Sequence, residues 1–396
     1  MITGDGAYIK KLNRSLILKR IIEYGKISRA DLSKITGLNK ATISVQVADL
    51  LEEELIYETQ QEHTTVGRRP ILLSLNKKAG YVLGVDLDYK RIQYTLSDLL
   101  GNPVMTEDVE LEKDDYDTTI QLLIKHIKEY KQKCPKSKYG LVSVVIGIHG
   151  TINKEDESIL FVPKYQWHHK HIKHDLEKEL NLPIAIENNA NLSAYSERVY
   201  FHHECDNLLT LILSSGIGAG IMIDGKLQRG YHGYAGEMGH MIITPGENQC
   251  KCGNKGCWEL YSSEVSLLEK LAVRQNKPIS YKDVKQLIDK EDPTTMQEMD
   301  DFINYLSIGI NNIINLFNPE ILVLTSDILT MYPKAVEKIE SNLVSSVSQY
   351  RKIVLSKFGN RSCVMGACAL AIQNFLEIPE LILTPPDMST ETVLSV

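Results

Sequence analysis

Three cysteines and one histidine fall within eighteen residues, His240, Cys250, Cys252 and Cys257. Zn²⁺ prefers four tetrahedral nitrogen and sulfur ligands, and a Cys₃His set fills that sphere with no position left open for chemistry. A structural Zn²⁺ is therefore expected to organise residues 236–259. Free or buried thiols are the competing explanation, but cysteines this tightly spaced rarely arise as packing alone. Glu237 and Glu259 flank the set without being needed in it, and carboxylates held beside a metal suggest a binding site. An imidazole has two nitrogens, so His240 can ligate through one and hydrogen-bond a ligand through the other.

The other cysteines, Cys134, Cys205, Cys363 and Cys368, are scattered, which fits reduced thiols in a cytoplasm. No apolar run approaches the roughly 18 residues that a membrane span requires, and Met1-Ile-Thr-Gly-Asp has no signal-peptide pattern. A cytoplasmic protein with no membrane partner is expected. The net charge of −7 conceals an asymmetry. Residues 1–80 hold 13 Lys+Arg against 9 Asp+Glu, and the remainder 31 against 42. Only the N-terminal end suits a polyanion.

That end reads as three helices and a wing. Apolar residues recur at helical spacing over residues 8–24. Ser28, with Asp31 three residues on, marks a helix start, Gly37 a tight turn, and Asn39 the cap of a second helix over 40–51. Helix, short glycine-containing turn, helix is a helix-turn-helix pattern. The small residues Ala41, Ser44, Val45 and Ala48 lie away from the expected core face, so this helix can enter a major groove. Lys40, Thr42, Ser44 and Gln46 are then the candidates for DNA contact. A strand over 55–58, a polar turn over 60–65, Gly67-Arg68-Arg69-Pro70 and a strand over 71–75 make a wing. Its two arginines suit a minor groove. An ordinary helical hairpin is the alternative.

Beyond a linker at 76–80 the order is strand, strand, strand, helix, strand (81–87, 91–97, 104–111, 116–133, 141–148), the start of an α/β lobe. His168, His169, His171 and His174 read as a solvated helix start. Residues 183–191 run from a strand into a helix, with Asn188 and Asn189 at the strand's C-terminal end, where α/β folds collect ligand groups. A strand at 208–213 leads into a glycine-rich turn, 214–220, of a kind that approaches phosphate or backbone. Helices are expected over 263–275, 281–289, 299–317, 332–347 and 362–373, with a strand at 321–324. Four parts follow: residues 1–75, lobes at 80–195 and 196–375, and an unplaced tail at 376–396.

Glu237-x-Gly-His240 followed by Cys-x-Cys-Gly-x-x-Gly-Cys-x-Glu resembles the signature of the ROK family, which contains sugar kinases and sugar-responsive repressors. The resemblance implies a two-lobed, actin-like sugar-kinase fold. It also implies that Glu237, His240 and Glu259 hold sugar hydroxyls, with Asn188 and Asn189 completing the site. Family kinases begin their phosphate turn Asp-x-Gly-Gly-Thr; here Asp86-Leu87-Asp88-Tyr89-Lys90 stands in its place. The family's base is the third residue of Glu-Asn-Asp-Ala-Asn, and here that residue is Asn189, an amide. A glycine pair is replaced by Ser326-Asp327, and His149 stands where proline is common. ATP is not expected, nor is catalysis.

Residues 27–33, 36–40, 67–70, 76–81 and 257–261 resemble most the xylose-operon repressors of that family. The expectation is a repressor, dimeric or larger, that binds double-stranded operator DNA and is released by a monosaccharide, xylose first. The alternative is a ROK sugar kinase with an added DNA-binding domain.

Overall fold

The computed structural model describes residues 6–60, 71–89, 91–112 and 115–387. Ser28 accepts a hydrogen bond from the Asp31 amide (3.1 Å) and Asn39 from the Thr42 amide (2.8 Å), and the chain passes between them through Gly37 at φ +70°. These caps bound α2 (Arg29–Thr36) and α3 (Lys40–Glu52), which pack beneath α1 (Gly6–Tyr24). The strands β1 (Ile27–Ser28), β2 (Ile56–Gln60) and β3 (Ile71–Leu75) form an antiparallel sheet with β3 in the middle.

The chain then builds two five-stranded sheets on one plan. In the first, β4 (Tyr81–Asp88) is central. The antiparallel strands β5 (Arg91–Asp98) and β6 (Pro103–Glu110) extend it on one side. After α4 (Tyr116–Lys133), β7 (Leu141–Ile148) lies parallel on the other side. A small sheet follows, of β8 (Thr151–Asn153), β9 (Ser158–Val162) and β10 (Trp167–Lys170). Then α5 (Ile172–Leu180) leads to β11 (Ile184–Asn188), parallel to β7, and β11 runs straight into α6 (Asn189–Tyr200).

The second sheet repeats this arrangement. β12 (Leu208–Leu213) is central, with β13 (Ile217–Ile223) and β14 (Lys226–Leu227) antiparallel on one side. A helical layer follows: α7 (Glu259–Ser262), α8 (Glu264–Gln275), α9 (Tyr281–Asp289) and α10 (Pro293–Phe317). Parallel strands β15 (Ile321–Thr325) and β16 (Lys352–Leu355) complete the sheet, separated by α11 (Asp327–Met331) and α12 (Ala335–Asn342). Strands covered on both faces carry near-continuous apolar runs, as Leu141–Ile148 does.

The last helix, α13 (Ser362–Leu376), expected in the second lobe, crosses back to pack on α6 and on the faces of β4 and β7. The tail is placed too. Ile378, Leu381 and Leu383 are buried in the core that also takes Ile17, Leu18 and Ile21 of α1. Glu380 pairs with Lys19 of α1 (2.6 Å) and with Arg198 of α6 (3.0 Å), and Glu377 pairs with Lys11 (2.9 Å).

Other expectations change. His168 and His169 belong to the hairpin strand β10, because His168 pairs with Phe161 across it, while exposed His171 stands at the N-cap of α5 and exposed His174 lies in its first turn, as expected of a helix start. Of the glycine-rich stretch, only 214–216 turns; Gly218 and Gly220 lie inside β13. A side chain on Gly220 would meet the carbonyl oxygen of Ala190 at 2.1 Å, so this glycine admits the first turn of α6 rather than a phosphate. Helix α10 begins six residues earlier than periodicity suggests, at a Pro in its first turn capped by Asp292. Helix α12 is shorter than expected, and α11 and β16 were not foreseen. Among the described residues no helix is long and apolar enough to cross a membrane.

Trp258 is fully buried and donates to the Tyr305 carbonyl (3.0 Å), its ring flat against Gly309 of α10. A Cβ at 309 would stand 2.1 Å from the indole. Alanine gains up to about 1 kcal/mol of helix propensity over glycine, but overpacking costs about 1–3 kcal/mol. Gly309→Ala is therefore expected to lower the urea midpoint; an unchanged or raised midpoint would show that the indole yields freely.

Candidate functional site

The loop from the end of β14 to α7 has little regular structure, so its conformation depends on local pairing. The Trp258 amide donates to the Met241 carbonyl (2.8 Å), Ile243 to Gly256 (2.9 Å) and Cys250 to Asn254 (2.8 Å). These bonds fold the segment back on itself until the donor atoms of His240, Cys250, Cys252 and Cys257 all lie within 4.8 Å of one another. Cys252 Sγ stands 3.6 Å from Cys257 Sγ, and Cys250 Sγ 3.7 Å from His240 Nδ1. Thiolates about 2.3 Å from a tetrahedral ion lie about 3.8 Å apart, so the spacing fits a common ion. Burial pushes the Cys250 thiol up to about 12, and a bound cation would reverse that by deprotonating it. The four residues picked from the sequence as metal ligands are brought together and could hold a metal.

The two nitrogens of His240 face different partners. Nδ1 faces the cysteines and Glu259 (3.5 Å), and Nε2 faces Glu237 (3.9 Å). Glu259 Oε1 also accepts from Cys250 Sγ at 3.3 Å. Glu237, half exposed, and Glu259 thus present two carboxylates beside an imidazole fixed from behind, a set able to accept hydrogen bonds from several hydroxyls.

The asparagines divide differently. Asn188 is committed to the scaffold: its Oδ1 caps α6 through the Ala190 (2.9 Å) and Asn191 (3.2 Å) amides, and its Nδ2 donates to the Gly150 carbonyl (3.1 Å). Asn189 lines the cleft between the two sheets. What ties this corner to the metal loop is Glu187, which sequence reading passed over. It is buried, yet accepts two hydrogen bonds from Arg229 (2.9 and 2.7 Å), one from Asn191 (3.1 Å) and the Lys154 ammonium at 3.2 Å. Burial alone would raise this carboxyl, but Lys154 and Arg229 outweigh it and hold it below its ordinary value. Its sequence signals were a charged residue inside an apolar strand and its place as the first residue of the Glu-Asn-x-Ala-Asn stretch.

At the phosphate-turn positions the cleft carries acid. Asp86 and Asp88 project from the end of β4, and Ser326 and Asp327 lie opposite. Ser326 caps α11 and donates to Glu264 (2.6 Å). Burial, with Asp88 adding, pushes Asp86 up to about 7 while a bond to Cys363 opposes the rise.

In the N-terminal unit Lys40, Ser44 and the neighbouring Val45 are exposed on α3 and Thr42 is half-buried. Gln46 is 4 % exposed and cannot reach DNA: it faces inward beside Ile43, Val47 and Leu50, because the core face of α3 is broader than its apolar residues alone indicate. Arg68 and Arg69 fall outside the described residues.

The model of the ROK family matches residues 82–374. A xylose repressor of Bacillus spizizenii is 37 % identical over 96 % of this chain and 100 % of its own length. The crystal structure of a ROK-family transcriptional regulator, a homologue of the E. coli MLC protein, superposes with a TM-score of 0.79 at 27 % identity, over 93 % of this chain and 96 % of that one. A ROK glucokinase from Streptomyces griseus, in complex with glucose and AMPPNP, superposes with a TM-score of 0.67 at 23 % identity over 74 % of this chain and all of its own. The last likeness concerns the fold alone.

Glu187 yields the test of this corner. A carboxyl held low contributes stability that is present above its unfolded value near 4.3 and is lost as pH falls through its folded value. Glu187→Gln is expected to cost about 1.5–3 kcal/mol at neutral pH through weakened charge-assisted bonds, and to flatten the acid limb of the stability curve. Urea unfolding at pH 7 and at pH 4 measures both; equal stability at pH 7 would remove Glu187 from this role.

Proposed function

The chain belongs to the ROK family, and from that premise we propose that it is a transcriptional repressor whose affinity for operator DNA falls when a monosaccharide, xylose first, binds beside His240. The observation that carries this reading is Asn189. An amide stands where a sugar kinase needs a proton acceptor, while the carboxylates suited to sugar hydroxyls are kept in place beside the metal-type cluster. A site that binds and does not react has only its shape to change.

The metal at His240, Cys250, Cys252 and Cys257 is taken to be Zn²⁺, which when bound would supply a fixed, closed tetrahedral anchor. The N-terminal unit is read as a winged helix-turn-helix spanning residues 1–75, with Lys40, Thr42 and Ser44 of α3 entering the major groove. Arg68 and Arg69 would serve the wing. Two copies in a homodimer would read a near-palindrome. Domain division follows the notional lobes 80–195 and 196–375, with α13 returned to the first.

A route from sugar to DNA is supported by contacts along α6. Its N-terminus is capped by Asn188 beside the candidate sugar site. Its other end holds Glu380 through Arg198, and Glu380 holds Lys19 of the DNA-binding unit. A sugar that draws the lobes together would turn α6 and re-aim α3. It can shift this equilibrium only by its differential affinity for the two states. The second reading, a kinase carrying a DNA-binding domain, is favoured by the glucokinase likeness in fold and is separated by assaying ATP turnover with xylose and glucose.

Elemental analysis of the purified protein is expected to give one zinc per chain, and Cys252→Ser to lose it; zinc well below stoichiometry in the parent would end this assignment. In a gel shift on the protein's own upstream DNA, xylose should weaken binding roughly 5- to 150-fold, the range of ordinary allosteric couplings. Glu237→Ala should bind DNA normally and ignore the sugar. A variant as responsive as the parent, or no response to any sugar, contradicts the proposal.

A further inference from the structure

The cleft between the sheets, about 740 Å³, is lined by six carboxylates, and Arg91 is the single cation among its described lining residues. Arg91 already lies 3.8 Å from Asp88. Asp86 and Asp88 come from the end of β4 in the first sheet; Glu264 and Asp327, at the starts of α8 and α11, line the cleft from the side of the second sheet. Like charges on opposing walls repel, and each water-poor step of closure strengthens the repulsion. Glu264 is satisfied internally by Ser326, Tyr281 and the Ile328 amide. The others are not.

Two buried polar atoms in the same cleft lack any partner. Asp86 is 5 % exposed and its Oδ1 accepts no hydrogen bond; Thr325, at the end of β15, is 7 % exposed and its Oγ1 is likewise alone. Both residues line the cavity, one from each sheet. A buried polar atom without a partner is costly, so a pair of them lining one cavity points to a donor-bearing guest.

We propose that this cleft is a second ligand site, one that takes an organic cation with protonated amines, of the aliphatic polyamine class, bridging Asp86 and Asp88 on one wall to Thr325 and Asp327 on the other. An ammonium has three donors and no acceptor, which matches these acceptors. A bare divalent ion does not fit. Among the described residues only the His240 cluster brings metal-type donors within coordinating reach, whereas the cleft carboxylates are spread along facing walls. An extended cation spans that spread. Tyr89 and Tyr165, which also line the cleft, offer ring faces to its methylenes and charge. A triphosphate meets acid on both sides. The inference stands apart from the repressor reading, since it is tested by binding without DNA or sugar.

The test is isothermal titration of the full-length protein at physiological salt with spermidine, ATP and MgCl₂ as separate titrants. Saturable one-to-one spermidine binding tighter than about 1 mM is expected, with none for ATP. Asp86→Asn and Thr325→Val should each weaken it at least tenfold, and Asp327→Asn likewise. Asp289→Asn, an exposed carboxylate outside the cleft, should leave it unchanged. Circular dichroism and melting confirm that each variant folds, and a variant that does not fold is replaced by the others. Absent spermidine binding, equal binding by the cleft variants, displacement by equimolar Mg²⁺, or ATP bound more tightly than spermidine would each overturn the proposal.

Discussion

Helix α6 has almost no free surface: every residue from Ala190 to Tyr200 is buried, including Ser193, Ser196, Glu197 and Arg198. Polar groups in such a place must be paired. Ser196 donates to the Ser193 carbonyl (2.8 Å), Glu197 accepts from Ser356 (2.6 Å), and Arg198 donates to the Cys205 carbonyl (2.8 Å) as well as to Glu380. A helix held by directional bonds on several sides does not slide by degrees. It keeps one set of partners or exchanges it for another, and packed interfaces of this kind are bistable. The two sheets, the metal-type loop and the N-terminal unit all meet it or meet something fastened to it.

The corner around Glu187 shows how charge is used for position rather than reaction. A buried carboxylate is costly unless it is paired, so its pairing with Arg229 and Lys154 binds three separate segments, β11, the start of the metal loop and the β8–β9 hairpin, to a single point. The cleft beyond it is the reverse case. There Asp86 and Asp327 are half or wholly buried with little opposing charge, and both carboxyls are raised by burial. One patch of acid is locked, its neighbour is left open.

Local chemistry was the legible part of the sequence. Caps at Ser28 and Asn39, the Cys₃His spacing and the helix Tyr281–Asp289 depend on residues within a few positions of one another, and the structure agrees with each. What escaped was set by distant partners. Gln46 looked outward because a polar residue on a helix usually is, yet it is buried beside Ile43, Val47 and Leu50 on the packed face of α3. Gly218 and Gly220 read as a phosphate turn, since glycine announces a close approach without saying to what; for Gly220 it is to the Ala190 carbonyl. The bond between Glu187 and Arg229, 42 positions apart, has no local signature at all. The tail read as apolar then polar because its burial lies against α1, at the opposite end of the chain.

That last contact sets an order in time. Lys19 and Glu380 are separated by 361 positions, so at about 5–20 residues per second a ribosome takes roughly 20–70 s to supply the second after the first. Throughout that interval the N-terminal helices have emerged with their docking face uncovered, and the residues that cover it are still untranslated. A nascent or truncated chain therefore carries α3 and its neighbours without the Lys19–Glu380 contact that fastens them to the rest of the fold. The N-terminal unit is tied to α6 through Glu380 only when synthesis has passed that residue.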